Sequence, residues 1–485
     1  MLTNKTYNYF VFYLSGMFVE LLGNSWWHSL IHEKNIAKSN FYLSFLNNKK
    51  DKYRFALVKC TFKAVKKLLQ ILYMRCLFSN KTDLSKYKNV VVKYFSTHLD
   101  FIDSNVLSIL IPQRSDYKEV KQKKLICIYS FINPIDFFIV VYKYFCVLLR
   151  LAVYSPELRY LITQYSTEFF GSDAFPFLKK DFYISFVGDV LIEGLFYEKI
   201  FTNIRRESKA VKKLVYVHEG LAWEKALCEV FKTSEAEVIG LVCSAVHSNV
   251  TSFFCSSFEK NMPKPNRLGV LGELQKKQFE KCYSNVFIYG SGRYNNLKSI
   301  VDNSCNSSIK KDKGILISLS FDNKVNEATL KFIYAALSHN YRIRMTMHPK
   351  GTPSQQMLKY YQLDRRSVEE IMQDYNVVIC CGDTSFAFTA YAYGKIIVSL
   401  NVKGQLELNP LAEFCREDLV ITKTPDELRN YINRLYKYGY STLYNFGCNK
   451  LKRRRQQFLN KYFDFVSKEE MIKRIFYERK SDRLS

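Results

Sequence analysis

The sequence predicts an α/β protein made of two parallel-sheet units in tandem, and three observations carry that expectation. Short runs of Val, Ile and Leu recur between turn residues, apolar throughout, as strands are when helices cover both faces of their sheet. Stretches of helical periodicity lie between them, so strand and helix alternate as in β-α-β crossovers. One polar segment, residues 296–313, rich in Asn, Ser, Lys and Asp, divides the series and reads as a linker.

Residues 1–84 read as a helical extension. Val58, Phe62, Val65, Leu69 and Leu72 keep helical spacing, with Lys59, Lys63, Lys66 and Lys67 on the remaining surface. That pattern suits a helix packed on the core, or a basic amphipathic helix resting on anionic lipid. The first unit, 85–295, opens with a strand at 90–92 that runs into the polar turn Ser96-Thr97-His98. Further strands are expected at 125–129, 214–217, 238–242, 268–271 and 286–289, with helices at 137–153, 222–232 and 275–282. The second unit, 314–430, has strands at 315–319, 343–347, 377–381, 396–400 and 419–422. Its helices are expected at 326–339, at 354–373 after Pro353, and from Asp383-Thr384-Ser385 to Tyr393. Residues 431–485 read as basic C-terminal helices, with Lys452-Arg453-Arg454-Arg455 a solvated face or a contact for lipid phosphates.

Two apolar stretches need a membrane test. The one at 7–22 is short, contains Glu20 and lacks a small-x-small cleavage site, so no secretory signal is expected. The one at 137–153 holds Lys143 and Arg150 and falls short of the roughly 20 residues that cross a bilayer, so a buried helix is expected there. The net charge of +27 points to a polyanionic partner: nucleic acid, lipid headgroups or phosphorylated substrates. No nucleic-acid recognition motif accompanies it, which ranks nucleic acid last. The thirteen cysteines contain no Cys-x-x-Cys pair and several sit in apolar runs, the usage of a reduced, cytoplasmic protein without a zinc site.

In open α/β sheets ligands bind beyond the carboxyl ends of the strands. That rule selects His218-Glu219, His247-Ser248, Arg293, Ser320, His348 and Asp383-Thr384-Ser385, each expected just after a strand. The stretch from Arg342 stops at His348-Pro349, because Pro349 cannot donate to a ladder; this sets an imidazole beside Lys350 at the mouth of a sheet, a place to grip phosphate. Asp383-Thr384-Ser385 forms either an anion cradle at a helix start or a plain N-cap. Glu219, before the permissive Gly220, is either a general base or a carboxylate favoured at a helix start, and Glu224 follows about a turn later. His247 could bind substrate or satisfy a loop carbonyl, and Arg293 could hold a phosphate in its planar fork or lie on the surface.

Residues 219–227, 240–248 and 290–294 resemble bacterial surface-carbohydrate biosynthesis proteins, which are similar to glycosyltransferases of the two-Rossmann GT-B type. His218-Glu219-Gly220, His348-Pro349 and Thr384-Ser385 stand in the order of three motifs of bacterial sialyltransferases and related Kdo transferases. The resemblance, over about 85–430, implies a GT-B-like fold: two Rossmann-like domains facing a cleft, after the helical extension. It implies Glu219 as the base, with His218 or Glu224 sharing that role, because His218 occupies the position where the family has its first acid. It also implies that His348-Pro349 and Thr384-Ser385 hold the donor nucleotide and its phosphate, and the reading of the residues adds Lys350, Asp383, Arg293 and Ser320 to that donor site. His247, Ser248 and His98 are left for the acceptor.

The expected function is therefore transfer of a sugar, of the CMP-activated sialic-acid or Kdo kind, from a nucleotide donor to a cell-surface glycan or glycolipid. No metal or further cofactor is expected, and the expected place of work is the cytoplasm or the inner face of the cytoplasmic membrane, in peripheral contact with anionic lipid. The alternatives are a CDP-polyol phosphotransferase of similar fold, an inactive scaffold in polysaccharide assembly, and a nucleic-acid-binding protein.

Overall fold

Apolar runs become strands where both of their faces can be covered, and the chain builds two sheets that meet this condition. A computed structural model describes residues 56–78, 83–93, 106–111, 126–149, 156, 160, 187–248, 253–254, 263–303, 314–320, 323–337, 341–348, 353–380, 385–401, 409–438 and 448–477. Helix α1 (Ala56–Leu77) precedes β1 (Asn89–Lys93), β2 (Leu107–Leu110) and β3 (Ile126–Cys127). Next come helices α2 (134–149) and α3 (Asp189–Glu207), then β4 (Lys213–Val217), α4 (Ala222–Phe231) and β5 (Glu237–Leu241). Strand β6 (Arg267–Val270), helix α5 (Glu273–Phe279) and β7 (Val286–Ile288) complete the first sheet. All its pairings are parallel, in the order β3-β2-β1-β4-β5-β6-β7. Alternate residues serve opposite faces: Val90, Val92, Leu214 and Tyr216 pack under α1, α3 and α4, while Val91, Val215 and Val217 face the other way. The Tyr216 ring fits because its neighbour in β5 is Gly240, where a Cβ would come within 3.1 Å of that ring.

Helix α6 (Asn296–Asn303) leads to the second sheet. There β8 (Gly314–Ser318), α7 (Asn323–Ala336), β9 (Ile343–Thr346), α8 (Gln355–Leu358), β10 (Gln362–Leu363), α9 (Val368–Asp374) and β11 (Tyr375–Cys380) follow in turn. Helix α10 (Phe386–Ala392), β12 (Ile396–Leu400), α11 (Pro410–Phe414), β13 (Val420–Thr422) and α12 (Pro425–Tyr438) complete it. The strand order is β10-β9-β8-β11-β12-β13, again parallel. Both orders step outward from a first strand and then reverse, the doubly wound Rossmann arrangement. The two-Rossmann, GT-B-like architecture expected from the sequence is the one these strand orders give.

The last two helices, α13 (Cys448–Tyr462) and α14 (Lys468–Phe476), tie the sheets together. Tyr462 and Phe463 are fully buried in one apolar cluster that contains Val215 and Leu241 of the first sheet and Val378 and Ile397 of the second. Burying one such aromatic is worth about 2–3 kcal/mol. Beyond α13 the backbone adds to the first sheet's carboxyl edge: the Asp464 N–H donates to the Leu271 carbonyl at 2.7 Å, and the Ser291 N–H to the Asp464 carbonyl at 3.0 Å. Toward the second sheet, Arg455 is buried, donates to the Lys395 carbonyl at 3.1 Å and stacks over Tyr391. Arg454 pairs with Asp418 at 3.1 Å. Two arginines of the basic run thus fasten one domain to the other instead of forming a solvated face.

Other expectations change too. The stretch 354–373, read as one helix, is two short helices around edge strand β10. Asp364 breaks it, held by bonds from Arg366 and Tyr375, and Ser367 and Glu370 then cap α9 in a capping box. Strand β2 was not among the expected strands. Part of the stretch read as linker is helix α6. Helix α1 turns Cys60, Ala64, Ile71 and Met74 inward, not the stripe expected to pack. Helix α2 is half-exposed, where a buried helix was expected.

Gly272 checks the fastening. Its backbone is extended, so any residue could adopt it, but a Cβ would lie 2.4 Å from the Tyr462 carbonyl oxygen. We expect Gly272→Ala to lower unfolding stability by about 2 kcal/mol, the overpacking cost, through release of the 462–466 segment. Urea unfolding with limited proteolysis of the C-terminal helices reads this; wild-type stability would mean that the segment is not a fastening.

Candidate functional site

A doubly wound sheet opens a crevice where its strand order reverses, because the crossovers on either side diverge to opposite faces. In the first sheet this point lies between β1 and β4, and in the second between β8 and β11. Buried Lys93 ends β1, and His218-Glu219-Gly220 follows β4. Ser320 follows β8 and Ser385 follows β11. These residues therefore stand at or past the carboxyl ends of the strands that flank the two reversal points.

The turn after β4 is held from below. Glu224, in the first turn of α4, is 1% exposed. Its Oε1 accepts from the Glu219 N–H at 2.9 Å, its Oε2 accepts from the Gly220 N–H at 3.0 Å, and His218 Nδ1 lies 2.9 Å from Oε2. Gly220 has φ 76°, a left-handed conformation that glycine adopts at no steric cost, and this closes the turn. His218 is buried too; its Nε2 lies 3.0 Å from the Tyr283 hydroxyl, and the Tyr216 hydroxyl is 3.2 Å from its Nδ1. His218 and Glu224, expected to share the base role, are both buried and engaged with the turn. Glu219 itself is half-buried.

Cys243, just beyond β5, reports what surrounds Glu219. Burial pushes its thiol up to about 11; the Tyr289 hydroxyl, bonded to its sulfur, opposes the rise, Glu219 adds to it and Arg293 reduces it. Glu219 and Arg293 thus act on one buried group at the same edge. Arg293 is exposed in the turn after β7, on the first sheet, the unit in which its place in the sequence puts it.

The carboxyl ends of β5 and β12 meet through Glu413 of α11, a residue the sequence reasoning did not single out. Its Oε2 accepts from the Ser248 N–H at 2.7 Å and the Gln278 side-chain amide at 3.1 Å, both from the first domain. The signal available was Asn409-Pro410, a helix start just past the β12 strand. Ser248 therefore contributes its N–H to a domain contact. His247 is buried, and burial pushes its imidazole down to about 4; Glu413 Oε2 lies 3.8 Å from its Nδ1.

On the second sheet, the Ser320 N–H donates to Asn326 Oδ1 and the Asn326 amide donates to the Ser320 carbonyl, both at 2.8 Å, which locks this loop to α7. His348 is half-buried two residues beyond β9, and half-buried Ser385 is the N-cap residue of α10. His98, Pro349, Lys350, Asp383 and Thr384 lie outside the described residues. Among the described residues, no three His, Cys, Asp or Glu side chains converge as a metal site requires.

The His247 environment sets a pH dependence. Its folded pKa of about 4 lies below the ordinary 6.5, so between these values the unfolded chain binds a proton that the folded chain does not. Stability then rises with pH across that window, by up to about 3 kcal/mol. We expect His247→Gln to flatten the unfolding free energy between pH 4 and 6.5; an unchanged slope in equilibrium unfolding would place the titration elsewhere.

No family model matches the chain, and no curated protein matches it. Among solved structures, the Neisseria meningitidis UDP-GlcNAc 2-epimerase bound to UDP-GlcNAc is similar at 9% identity and TM-score 0.42, over 79% of this chain and 98% of the other. The calicheamicin glycosyltransferase CalG4 is similar at 11% identity and TM-score 0.41, over 80% and 98%. Anabaena HepE in complex with UDP is similar at 8% identity and TM-score 0.42, over 80% and 98%.

Proposed function

We propose that the chain is a nucleotide-sugar-dependent glycosyltransferase in which Glu219 takes the proton from an acceptor hydroxyl. The observation that carries this proposal is the turn after β4: a half-buried carboxylate at the first sheet's switch point, with its backbone pinned by Glu224. A general base needs a fixed position more than an unusual chemical environment, and that turn provides one. The acceptor oxygen, as its proton passes to Glu219, would form a bond to the anomeric carbon of the donor. The bond from that carbon to the leaving phosphate would break, and the phosphate would depart with the electron pair. His348, Ser320 and Ser385, beyond the strands of the second sheet, are the groups we assign to the donor nucleotide and its phosphate.

The finer assignment follows the order of the His-Glu-Gly, His-Pro and Thr-Ser motifs: a CMP-activated sugar of the sialic-acid or Kdo kind and a glycan or glycolipid acceptor. A panel of CMP-, CDP- and UDP-sugars, followed by nucleotide release and by mass spectrometry of the acceptor, tests it. A glycosidic product supports the reading, whereas a phosphodiester product would assign the site to polyol-phosphate transfer. We expect Glu219→Gln to lower kcat by about 10²-fold or more with little change in donor KM, the effect of losing a general base. We expect His348→Ala mainly to raise donor KM. A Glu219→Gln enzyme of wild-type rate would sink the assignment.

A further inference from the structure

Helices α1 and α2 carry apolar residues on two sides, and only one side is used by the core. Helix α2 buries Val140 and Tyr144, yet Ile135, Phe138, Tyr142, Phe145 and Leu149 are exposed, Phe138 to 77%. These five follow the 3-4-3-4 spacing that places residues on one helix face. Helix α1 repeats the pattern: Cys60, Ala64, Ile71 and Met74 face inward, while Phe62, Val65, Leu69 and Leu72 are exposed, Phe62 to 70%.

The two helices that carry these stripes are neighbours. Cys60, near the start of α1, acts on the hydroxyl of Tyr144 in α2, and Arg75, near the end of α1, donates to the Ile132 carbonyl just before α2. The helices therefore run antiparallel on one layer of the first domain. At 100° per residue, Lys59, Lys63 and Lys66 fall along one flank of the α1 stripe, and all three are exposed. A broad apolar face edged with lysines is chemically matched to a bilayer whose headgroups are anionic: acyl chains meet the aromatic and aliphatic side chains, and lysine stems reach the phosphates. The net charge of +27 adds long-range attraction to such a surface. Among the described residues no helix is long and apolar enough to cross a membrane, so the contact would lie in the plane of the bilayer. A second copy of the chain fits less well, because lysine is depleted where proteins meet.

We propose that the outward face of α1 and α2 seats the protein on an anionic lipid bilayer. This surface is independent of the transferase reading, since none of its residues belongs to the candidate site. The test is cosedimentation of the full chain with vesicles of phosphatidylcholine alone and with roughly 30% phosphatidylglycerol. The wild type is expected to bind the anionic vesicles at least tenfold more tightly than the neutral ones. Phe138→Glu with Leu149→Glu is expected to weaken that binding at least tenfold at unchanged melting temperature. Lys59→Gln with Lys63→Gln and Lys66→Gln, an exposed set that leaves the apolar residues in place, should weaken anionic binding and reduce its salt dependence. The proposal is overturned if the wild type stays in solution with anionic vesicles, or if both variants bind as it does. It is also overturned if sedimentation velocity shows a dimer that Phe138→Glu dissociates while vesicles bind nothing. A chain without residues 1–55 that binds vesicles when the full chain does not would equally overturn it, because the face would then be covered by the chain itself.

Discussion

One buried carboxylate, Glu224, organises the turn at the carboxyl edge of the first domain's sheet. Glu224 accepts hydrogen bonds from two backbone N–H groups at 2.9 and 3.0 Å, and the His218 imidazole lies 2.9 Å from the same carboxylate. Carboxylates in such settings are costly to bury and costly to lose, because removing either side leaves the other unpaired in low dielectric. The cost brings a fixed turn: with both peptide groups of Glu219-Gly220 held, the Glu219 side chain projects from a constrained backbone. The His218 ring extends the network through Tyr216 and Tyr283 to β4 and to the residue just beyond α5.

The second constraint is the junction between the sheets. The C-terminal helices bury aromatics against both domains, and Glu413 joins α11 to Ser248 and Gln278. Arg454 and Arg455 anchor the same helix to the second domain. Basic residues that look like a solvated run in one dimension become fasteners because α13 crosses between the domains.

Much of the strand pattern was legible because parallel strands buried on both faces are short and uniformly apolar, as at 214–217 and 396–400. Strand β10 was not, since two residues with an exposed Gln362 carry no apolar signal. The edge placement of Glu219, Ser320, His348 and Ser385 was legible from strand ends alone. The burial of His218 and Glu224 was not, because whether a titratable side chain faces solvent or the turn beneath it depends on how the backbone turns at Gly220. Glu413 went unseen because its partners are more than 130 residues away in sequence. The stripe on α1 was visible as periodicity, but periodicity does not say which of two apolar faces the core takes.

The proposed role of Glu219 is to accept the proton in the transfer step. The most direct measurement is the pH profile of kcat for the wild type and Glu219→Gln under saturating donor and acceptor. The account predicts that the wild-type rate falls on the acid side with unit slope as one carboxylate is protonated, and that this limb is missing from the much slower variant. An acid limb that persists unchanged in Glu219→Gln would contradict it and assign the proton to another group.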